Sequence, residues 1–403
     1  MITPAYAPTA TERVLPRLAL DFTTASLDAR VTVTRALNTA TAINSSGVIA
    51  AVNANLPRFD YDPVALTCKG LLIEEARTNL QKYSETFSSW PTLSGASAPN
   101  ATAANPLGGT TVSKLTEDSS SGGHVVGSAD ITVSSGATVT LSVYAKPAGR
   151  NWIAVYDSRS TTGKYFDIAN GVIGGNLVGA PVSASITPGP NGYYRCSITV
   201  TAPATIVTPQ VWLASANNTF SYQGNGTSGA YLSAFQTEVG AFATSYIPNL
   251  ATGSTTRNAD AVSMTGTNFS SWFNASAGTF VATYDNFYPA NATSQGIIGF
   301  GSYGLFMYLN TSLAKSYDGT NVVQASAAAA NTVTKTAVAY GSGLALSQAG
   351  GAAVTSSYNN VFASATFLYI GNTDGIKPLN GHVAAVQFYP QKLTNSQIQA
   401  FSK

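Results

Sequence analysis

The segment Gly192-Tyr-Tyr-Arg-Cys-Ser-Ile-Thr-Val-Thr201 alternates between two kinds of side chain. Successive side chains of a β-strand point to opposite faces, so the segment predicts a strand with two different faces. The residues on its predicted core face are Tyr194, Cys196, Ile198 and Val200. The residues on its opposite face are Tyr193, Arg195, Ser197 and Thr199. One buried face and one polar face are typical of a strand in a β-sandwich.

Short runs with the same alternation recur along the chain, about every ten residues, between clusters of Gly, Pro, Asn and Ser. Examples are 138–145, 152–156, 210–214 and 278–284. Helical periodicity is almost absent outside the C-terminal end. The pattern therefore predicts an all-β chain.

The composition favours several domains and an assembled state. With 403 residues the chain is too long for one hydrophobic core. Only 9% of its residues are charged, against roughly a quarter in ordinary globular proteins. A nearly neutral surface gives little repulsion between copies. We therefore expect a homo-oligomer, with a trimer favoured.

The charge and cysteine content exclude several classes of function. A formal net charge of +2 without a basic run disfavours nucleic-acid binding. Cys68 and Cys196 lie far apart, so neither a zinc site nor a disulfide framework is indicated. The N-terminus lacks the pattern of a signal peptide, and no long apolar run predicts a membrane span.

Turn-rich joints divide the chain into three predicted domains. Residues 1–80 hold short strands with a small core, which we expect to pack against a neighbouring domain or protein. Residues 81–250 predict a β-sandwich, and the turn residues of 249–258 separate it from a third domain at 261–403. The third domain ends in a short helix, whose start is predicted by capping-box spacing and by Leu393 and Ile398 as a hydrophobic staple.

A long motif connects the first domain with a known group of proteins. Pro57-Arg-Phe-Asp-Tyr-Asp-Pro63, followed by Lys69-Gly-Leu-Leu-Ile-Glu-Glu-Ala-Arg-Thr-Asn-Leu80, resembles the opening region of many tail, fibre and head-decoration proteins of tailed bacteriophages. The resemblance implies a virion protein that is assembled in the host cytoplasm and exposed on the particle. It also implies that residues 1–80 attach the chain to other virion proteins.

The rest of the chain resembles two lectin-like folds. Residues 141–147, 192–195, 236–240 and 244–248 are similar to the carbohydrate-binding-module-like jelly roll that usually follows this motif. The strand start at 278–280, the Gly-His-Val strand and the terminal helix make the last domain similar to laminin-G or concanavalin-A-like sandwiches. Such folds host sugar binding, protein binding, glycosidases and purely structural roles.

Catalytic residues are not indicated. The two histidines, His124 and His382, lie in a Ser/Gly loop and at a strand start, where we expect structural roles. Gln236 and Glu238 share a strand face, and a hydrogen-bonded structural pair is favoured over a catalytic one. Glu74-Glu75 predicts an interface salt bridge to Arg77 or Arg58. We assign no catalytic residue and no cofactor.

A metal site is not assigned either. Calcium would need oxygen ligands such as those of Asp285-Asn286, Asp318-Gly319 and Asp374-Gly375. The Asp-Gly pairs are more often found simply as turn residues.

Sugar binding needs an exposed aromatic ring that can lie under the apolar face of a pyranose, beside amides that bond its hydroxyls. The candidate residues are Trp152, Tyr156 and Trp212 in the middle domain and Trp272, Tyr303 and Tyr317 in the last. For each of them the alternative is a place in a core or in a subunit interface.

The leading hypothesis is a non-enzymatic virion protein, a fibre, spike or decoration subunit, whose sandwiches bind bacterial surface glycans. One alternative is a virion-associated polysaccharide depolymerase or glycosidase, which would need a pair of carboxylates across a sugar. The other is a decoration protein with a purely structural role.

Overall fold

The structure is a computed structural model. It describes residues 15–251, 253–288, 294–300, 305–310, 313–327, 332–358, 362, 365–373 and 375–403. The described chain is almost entirely β, which confirms the predicted all-β class. No helix in these ranges is long and apolar enough to cross a membrane.

The N-terminal strands are short. Their bounds are β1 Leu18–Asp21, β2 Thr32–Thr34, β3 Ala40–Ile43, β4 Ile49–Val52, β5 Phe59–Tyr61, β6 Cys68–Ile73 and β7 Arg77–Asn79.

The middle strands are longer and carry the predicted alternation. Their bounds are β8 Thr92–Ser94, β9 Ala96–Ser97, β10 Asn100–Thr102, β11 Thr111–Glu117, β12 Ser121–Gly127, β13 Ile131–Thr132, β14 Thr138–Ala148, β15 Trp152–Asp157, β16 Thr162–Asp167, β17 Val172–Asn176, β18 Ser183–Pro188, β19 Tyr194–Thr201, β20 Ile206–Val207, β21 Pro209–Ala214, β22 Ser221–Gln223 and β23 Gly229–Val239.

The C-terminal part holds further strands and two helices. Their bounds are β24 Thr255–Arg257, β25 Ala261–Thr265, α1 Thr267–Ser270, β26 Gly278–Tyr284, β27 Gln295–Gly299, β28 Leu305–Asn310, β29 Leu313–Tyr317, β30 Val322–Ala327, β31 Thr334–Tyr340, β32 Leu344–Gln348, β33 Val354–Ser356, β34 Phe367–Ile370, β35 Gly381–Tyr389 and α2 Asn395–Phe401.

The middle sandwich packs two sheets face to face. One has the order β10-β11-β23-β14-β19-β18, and the other has the order β17-β16-β15-β21-β12-β22. Cys196, Ile198 and Val200 lie in the core between them, as the alternation predicts. Val139 and Leu141 of β14 meet them there.

The N-terminal strands complete the C-terminal sandwich. Strand β35 pairs with β26 of its own segment and also with β1 and β6, while β2 pairs with β25 in the second sheet. Leu18, Leu20 and Ile73 therefore share one core with Phe280 and Phe388. The sequence pattern separates 1–80 from 261–403, whereas the structure joins their strands in the same sheets. Alternation shows which face a strand buries, but it does not show which distant strand is its neighbour.

The middle sandwich is thereby inserted into the other one. Strand β7, which leads into it, pairs antiparallel with β24, which leaves it, so that Arg77 lies opposite Arg257 and Asn79 lies opposite Thr255. The chain enters and leaves the insertion at one place.

A buried charge cluster lies beside this crossing. It consists of Arg35, Arg58, Glu74, Arg257 and Asp260, all of them buried. Glu74 Oε2 lies 2.7 Å from Arg58 Nη1 and 3.0 Å from Arg257 Nη1. Arg35 and Arg58 both pair with Asp260. Burial alone would raise the pKa of Glu74, but Arg257 and Arg58 hold it well below its usual value.

The cluster explains much of the motif that the sequence resemblance rests on. The predicted salt bridge is present, because Glu74 pairs with Arg58 and the neighbouring Glu75 pairs with Arg77. A buried ion pair needs each of its partners, because a charge left alone in the interior is strongly unfavourable. The motif is therefore held by charge pairing between segments distant in sequence.

Candidate functional site

The three aromatic candidates of the middle sandwich lie together on the outer face of one sheet. Trp152 and Tyr156 lie on β15, and Trp212 lies on the neighbouring β21. In the register of this strand pair, Trp212 is opposite Ala154, the small residue between the other two aromatics. All three side chains are half-buried, so part of each ring is open to solvent.

Ring contacts join Tyr156, Trp212 and Phe220, and Trp152 packs against the same small cluster of side chains. The ring of Trp212 is perpendicular to those of Tyr156 and Phe220, at centroid distances of 6.4 Å and 5.2 Å. Phe220 is 36% exposed. We call Trp152, Tyr156, Trp212 and Phe220 the aromatic surface.

Glycines on neighbouring strands give the rings room to lie against the sheet. A Cβ at Gly123 would be 2.5 Å from Trp212 Cζ3, and one at Gly163 would be 2.8 Å from Tyr156 Cδ2. Each ring thus occupies the space that another residue's side chain would need. The rings are held in place by the sheet beneath them, which lowers the entropic cost of binding a ligand.

Amide groups lie beside the rings. Gln210 Oε1 accepts a hydrogen bond of 2.9 Å from Trp212 Nε1. Asn217 Oδ1 accepts one of 2.8 Å from the Gly175 backbone N–H, which fixes the loop that follows β21. Apolar rings beside fixed amides can hold the apolar face and the hydroxyls of a sugar at the same time.

The candidates of the last domain do not form a comparable surface. Trp272 is only 3% exposed and packs against Phe269, Phe280 and Phe388 in the core. The sequence-based prediction that Trp272 binds a sugar is therefore wrong, because the surrounding aromatic side chains leave its ring no open face. Tyr317 is half-buried, and its hydroxyl donates to the Gly319 carbonyl in a turn. Tyr303 lies outside the described residues.

The sequence reasoning missed Phe220, Gln210 and the two glycines. Gln210 could have been found, because it lies two residues from Trp212 in one strand and therefore on the same face. Phe220 follows a loop, and its place beside Trp212 depends on how that loop folds. The glycines act across strands, so they could be recognised only with the strand pairing.

The acids considered for catalysis have structural partners. Gln236 Oε1 accepts a 2.6 Å hydrogen bond from the Ile247 N–H, and its Nε2 lies 3.3 Å from the Thr244 and Ser245 carbonyls. Glu238 accepts hydrogen bonds from the Thr244 N–H at 3.0 Å and from its hydroxyl. Both side chains are fully buried. They hold residues 244–247 on the sheet, as expected for a structural pair and not for a catalytic one.

Both histidines are buried as well. His124 Nδ1 lies 2.5 Å from the Gly95 carbonyl oxygen. His382 lies between two carboxylates, with Nε2 3.0 Å from Asp60 and Nδ1 2.9 Å from Asp285. In the part of the chain that the structure describes, these rings bond backbone carbonyls and Asp carboxylates, and neither bonds a Ser, Thr or Cys side chain.

The aspartates considered for calcium are engaged in other ways. Asp285 pairs with His382, and Asp318 accepts hydrogen bonds from the Thr320 and Asn321 N–H groups, as in an Asx turn. Asp374 lies outside the described residues. Within the part of the chain that the structure describes, no group of three His, Cys, Asp or Glu side chains could hold a metal ion.

Comparison with known proteins gives partial likenesses only. The sequence matches no family model and no curated protein. Among solved structures, the chain is similar to a mutant Trypanosoma rangeli sialidase displaying trans-sialidase activity, at a TM-score of 0.30 and 15% identity, over 36% of this chain and 26% of that one. It is also similar to the IT-sialidase CBM40 of Ruminococcus gnavus, at 0.27 and 13%, over 32% and 84%.

A third likeness is to domain 4 of AbnA, a GH43 extracellular arabinanase from Geobacillus stearothermophilus, in complex with arabinotriose. Its TM-score is 0.29 at 12% identity, over 40% of this chain and 82% of that one. The chain spans about a quarter of the sialidase. With TM-scores of this size, the likenesses carry no argument about function, and the site is interpreted from its own geometry.

Proposed function

We propose that this protein is a non-enzymatic structural and adhesion protein of a bacteriophage particle, and that it binds bacterial surface glycans through the aromatic surface. The observation that carries the binding part is the grouping of Trp152, Tyr156 and Trp212, half-exposed, on one outer sheet face. A soluble sheet usually presents polar side chains on its outer face. A rigid aromatic face flanked by amides indicates a ligand with apolar patches and hydroxyls.

A chain of sugar units fits this surface better than a small molecule does. The rings spread over two neighbouring strands, so successive pyranoses can contact successive rings. Each contact is weak, and repetition over the copies of an oligomer raises the overall affinity without new contacts.

The virion part of the proposal is supported by the resemblance of 57–80 and by exposed apolar side chains in the N-terminal residues. These side chains are Leu15, Leu37, Leu56, Val64 and Leu66, at 48% to 72% exposure. Val64 and Leu66 lie in the same turn, which follows Asp62, and neighbouring exposed apolar side chains suit a protein interface. A deletion of 1–80 would remove strands of the C-terminal sandwich, so point substitutions are the sharper test.

Replacing Val64 and Leu66 by serine should reduce incorporation into particles while the isolated chain stays folded. Val322→Ser, at an exposed position of the C-terminal sandwich, is the matched control. Incorporation of the double variant at the wild-type level would contradict attachment through this region. Light scattering on the same proteins tests the proposed trimer.

Trp212→Ala tests the binding surface, with an array of purified bacterial surface polysaccharides as the probe. Binding to the strongest polysaccharide should fall at least about tenfold, as for other aromatic anchors of interfaces. Tyr317→Ala in the other sandwich should leave it unchanged. If Trp212→Ala changes the oligomeric state and not the binding, the aromatic surface is a subunit interface and the proposal fails.

The absence of hydrolytic activity is part of the proposal. It is supported by the structural hydrogen bonds of Gln236 and Glu238. Chain-length analysis of each bound polysaccharide after incubation is the test, and shortened chains would favour the depolymerase alternative. A folded protein that binds none of the polysaccharides would favour pure decoration.

A further inference from the structure

A second cleft lies on the other side of the middle sandwich. Its volume is about 820 Å³, and it separates the outer face of β18 and β19 from the N-terminal residues. Arg195, Ser185 and Ser197 line one wall, and Asp60 and Asp62 line the other. The aromatic surface belongs to the opposite sheet, so the two sites are separate.

The sheet wall of this cleft is rich in hydroxyl groups. In the strand register Ser197 and Ser185 lie side by side on β19 and β18, and both line the cleft. The Ser185 and Ser197 hydroxyls are 2.7 Å apart. Thr187 lies beside Arg195, so hydroxyls also border that side chain. Such a row can exchange hydrogen bonds with a polyhydroxylated ligand.

Arg195 is the unusual member of this wall. Its Nη2 donates a 3.0 Å hydrogen bond to Ser142 Oγ, and its guanidinium lies 5.4 Å from the centroid of the Tyr144 ring. Its Nε is buried without a hydrogen-bond partner. No acidic side chain of the described residues forms an ion pair with it. A cation in such a place usually has a carboxylate partner.

The acids across the cleft are already engaged. The Asp60 carboxylate bonds His382 Nε2 at 3.0 Å and the Ile43 N–H at 2.7 Å. Asp62 accepts hydrogen bonds from the N–H groups that follow it in its turn. The charge of Arg195 is therefore left for an anion that enters the cleft.

We propose that this cleft binds an anionic saccharide, with the sugar carboxylate on Arg195 and the sugar hydroxyls on the serine and threonine row. The planar guanidinium carries several N–H donors that match a carboxylate. The flanking hydroxyls select a sugar over a simple anion. This site stands apart from the aromatic surface and does not depend on the function proposed for it.

The test uses a hyaluronan tetrasaccharide, which carries glucuronate carboxylates, and the neutral chitin tetrasaccharide of equal length. Titration calorimetry is run on the full chain and on Arg195→Gln, which keeps a donor but removes the charge. Ser185→Trp fills the cleft from an exposed position without changing Arg195. Val322→Trp, at an exposed strand position of the other sandwich, is its control.

We expect the wild type to bind the acidic tetrasaccharide in preference to the neutral one. Arg195→Gln and Ser185→Trp should each weaken it about tenfold or more, because a hydrogen bond to a charged group is lost or blocked. Arg195→Lys should recover part of the binding, and Val322→Trp should keep all of it.

Equal affinity for both tetrasaccharides, unchanged binding in Arg195→Gln and Ser185→Trp, or no binding at millimolar concentration would each overturn the proposal. Trp212→Ala distinguishes the cleft proposal from the proposal for the aromatic surface. That variant should lose polysaccharide binding and keep the acidic tetrasaccharide. If it loses the acidic tetrasaccharide, the anionic ligand belongs to the aromatic surface and the cleft proposal fails.

Discussion

Both outer faces of the middle sandwich carry aromatic residues, but only one of them leaves its aromatic rings open to solvent. On the open face Trp152, Tyr156 and Trp212 remain half-exposed. On the other face Tyr144 and Tyr193 are buried, at 6% and 1% exposure. They belong to a cluster with Ile49 of the N-terminal hairpin and with Tyr246.

The difference lies in the segments that cover the second face. Tyr246 is held there because Glu74 accepts hydrogen bonds from the Ser245 N–H and hydroxyl, both at 2.7 Å. The hairpin β3–β4 is held because Asp60 accepts a hydrogen bond from the Ile43 N–H. An outward aromatic side chain is thus buried or left at the surface according to whether other segments, held by charges far away in sequence, cover it.

Glu74→Gln should have the largest effect on the covered face, because it removes a charge from the cluster that holds the covering segments. It leaves Arg58 and Arg257 buried with one carboxylate fewer, and removing one partner of a buried ion pair costs about 3–5 kcal/mol. We expect a loss of this size in the free energy of unfolding, measured by urea denaturation. Arg30→Gln, which removes a half-exposed pair with Asp28, should change it by less than about 1 kcal/mol. Similar losses for both variants would show that the buried cluster does not hold the segments that cover this face.

Alkaline pH should weaken the same face through His382. Burial alone would lower the pKa of His382, but Asp285 and Asp60 raise it to about 9. An unfolded histidine titrates near about pH 6.5, so the stabilisation is complete below that pH and is lost as pH rises through 9.

We expect the free energy of unfolding to fall by about 3 kcal/mol over this window. His382→Gln should flatten the fall, although it lowers stability at neutral pH. Denaturation curves at a series of pH values measure both. An equally steep fall in the variant would assign the pH dependence to other groups.

Gly123→Ala should disturb the open face with a smaller effect on stability. The added Cβ would be 2.5 Å from Trp212 Cζ3, so the ring must move. We expect a loss of about 1–3 kcal/mol from overpacking and weaker polysaccharide binding. Gly253→Ala, where an added Cβ meets nothing within 4 Å, should change neither. Unchanged binding in Gly123→Ala would mean that the position of the Trp212 ring does not matter for the ligand.

The sequence predicts strands and their faces well, because alternation is a local property. The inward residues Val139, Cys196 and Ile198 are core as predicted, and the salt bridge of Glu74 with Arg58 is present. Which strands become neighbours is not local. The pairing of β1 and β6 with β35 joins residues more than three hundred positions apart.

The candidate site shows the same limit. The sequence supplies Trp152, Tyr156 and Trp212, since exposed aromatics are a chemical requirement of sugar binding. It also supplies Trp272, because the sequence pattern around an aromatic residue is the same in a core as on a binding surface. Only the packing of Phe280 and Phe388 around Trp272 distinguishes the two.

Thr394→Ala should give the smallest effect and tests a cover that is local in sequence. Helix α2 lies on the outer face of the C-terminal sheet, where Leu393 and Ile398 pack against Val281. Its start has the predicted capping box: Thr394 Oγ1 accepts from the Gln397 N–H at 3.3 Å, and Gln397 Oε1 accepts from the Thr394 N–H at 2.9 Å. Loss of an N-cap costs about 1 kcal/mol.

Because the apolar contacts of α2 remain in Thr394→Ala, the helix should fray at its start and stay on the sheet. Hydrogen exchange should therefore rise in its first turn while thermal unfolding shifts only slightly. Thr394→Ser keeps the capping oxygen and should behave as the wild type. If Thr394→Ala lowered the free energy of unfolding as much as Glu74→Gln does, a covering segment would depend on the contacts at its ends, whether these contacts are local or distant in sequence. A small loss would leave buried charge pairing as what separates the covered face of the middle sandwich from its open one.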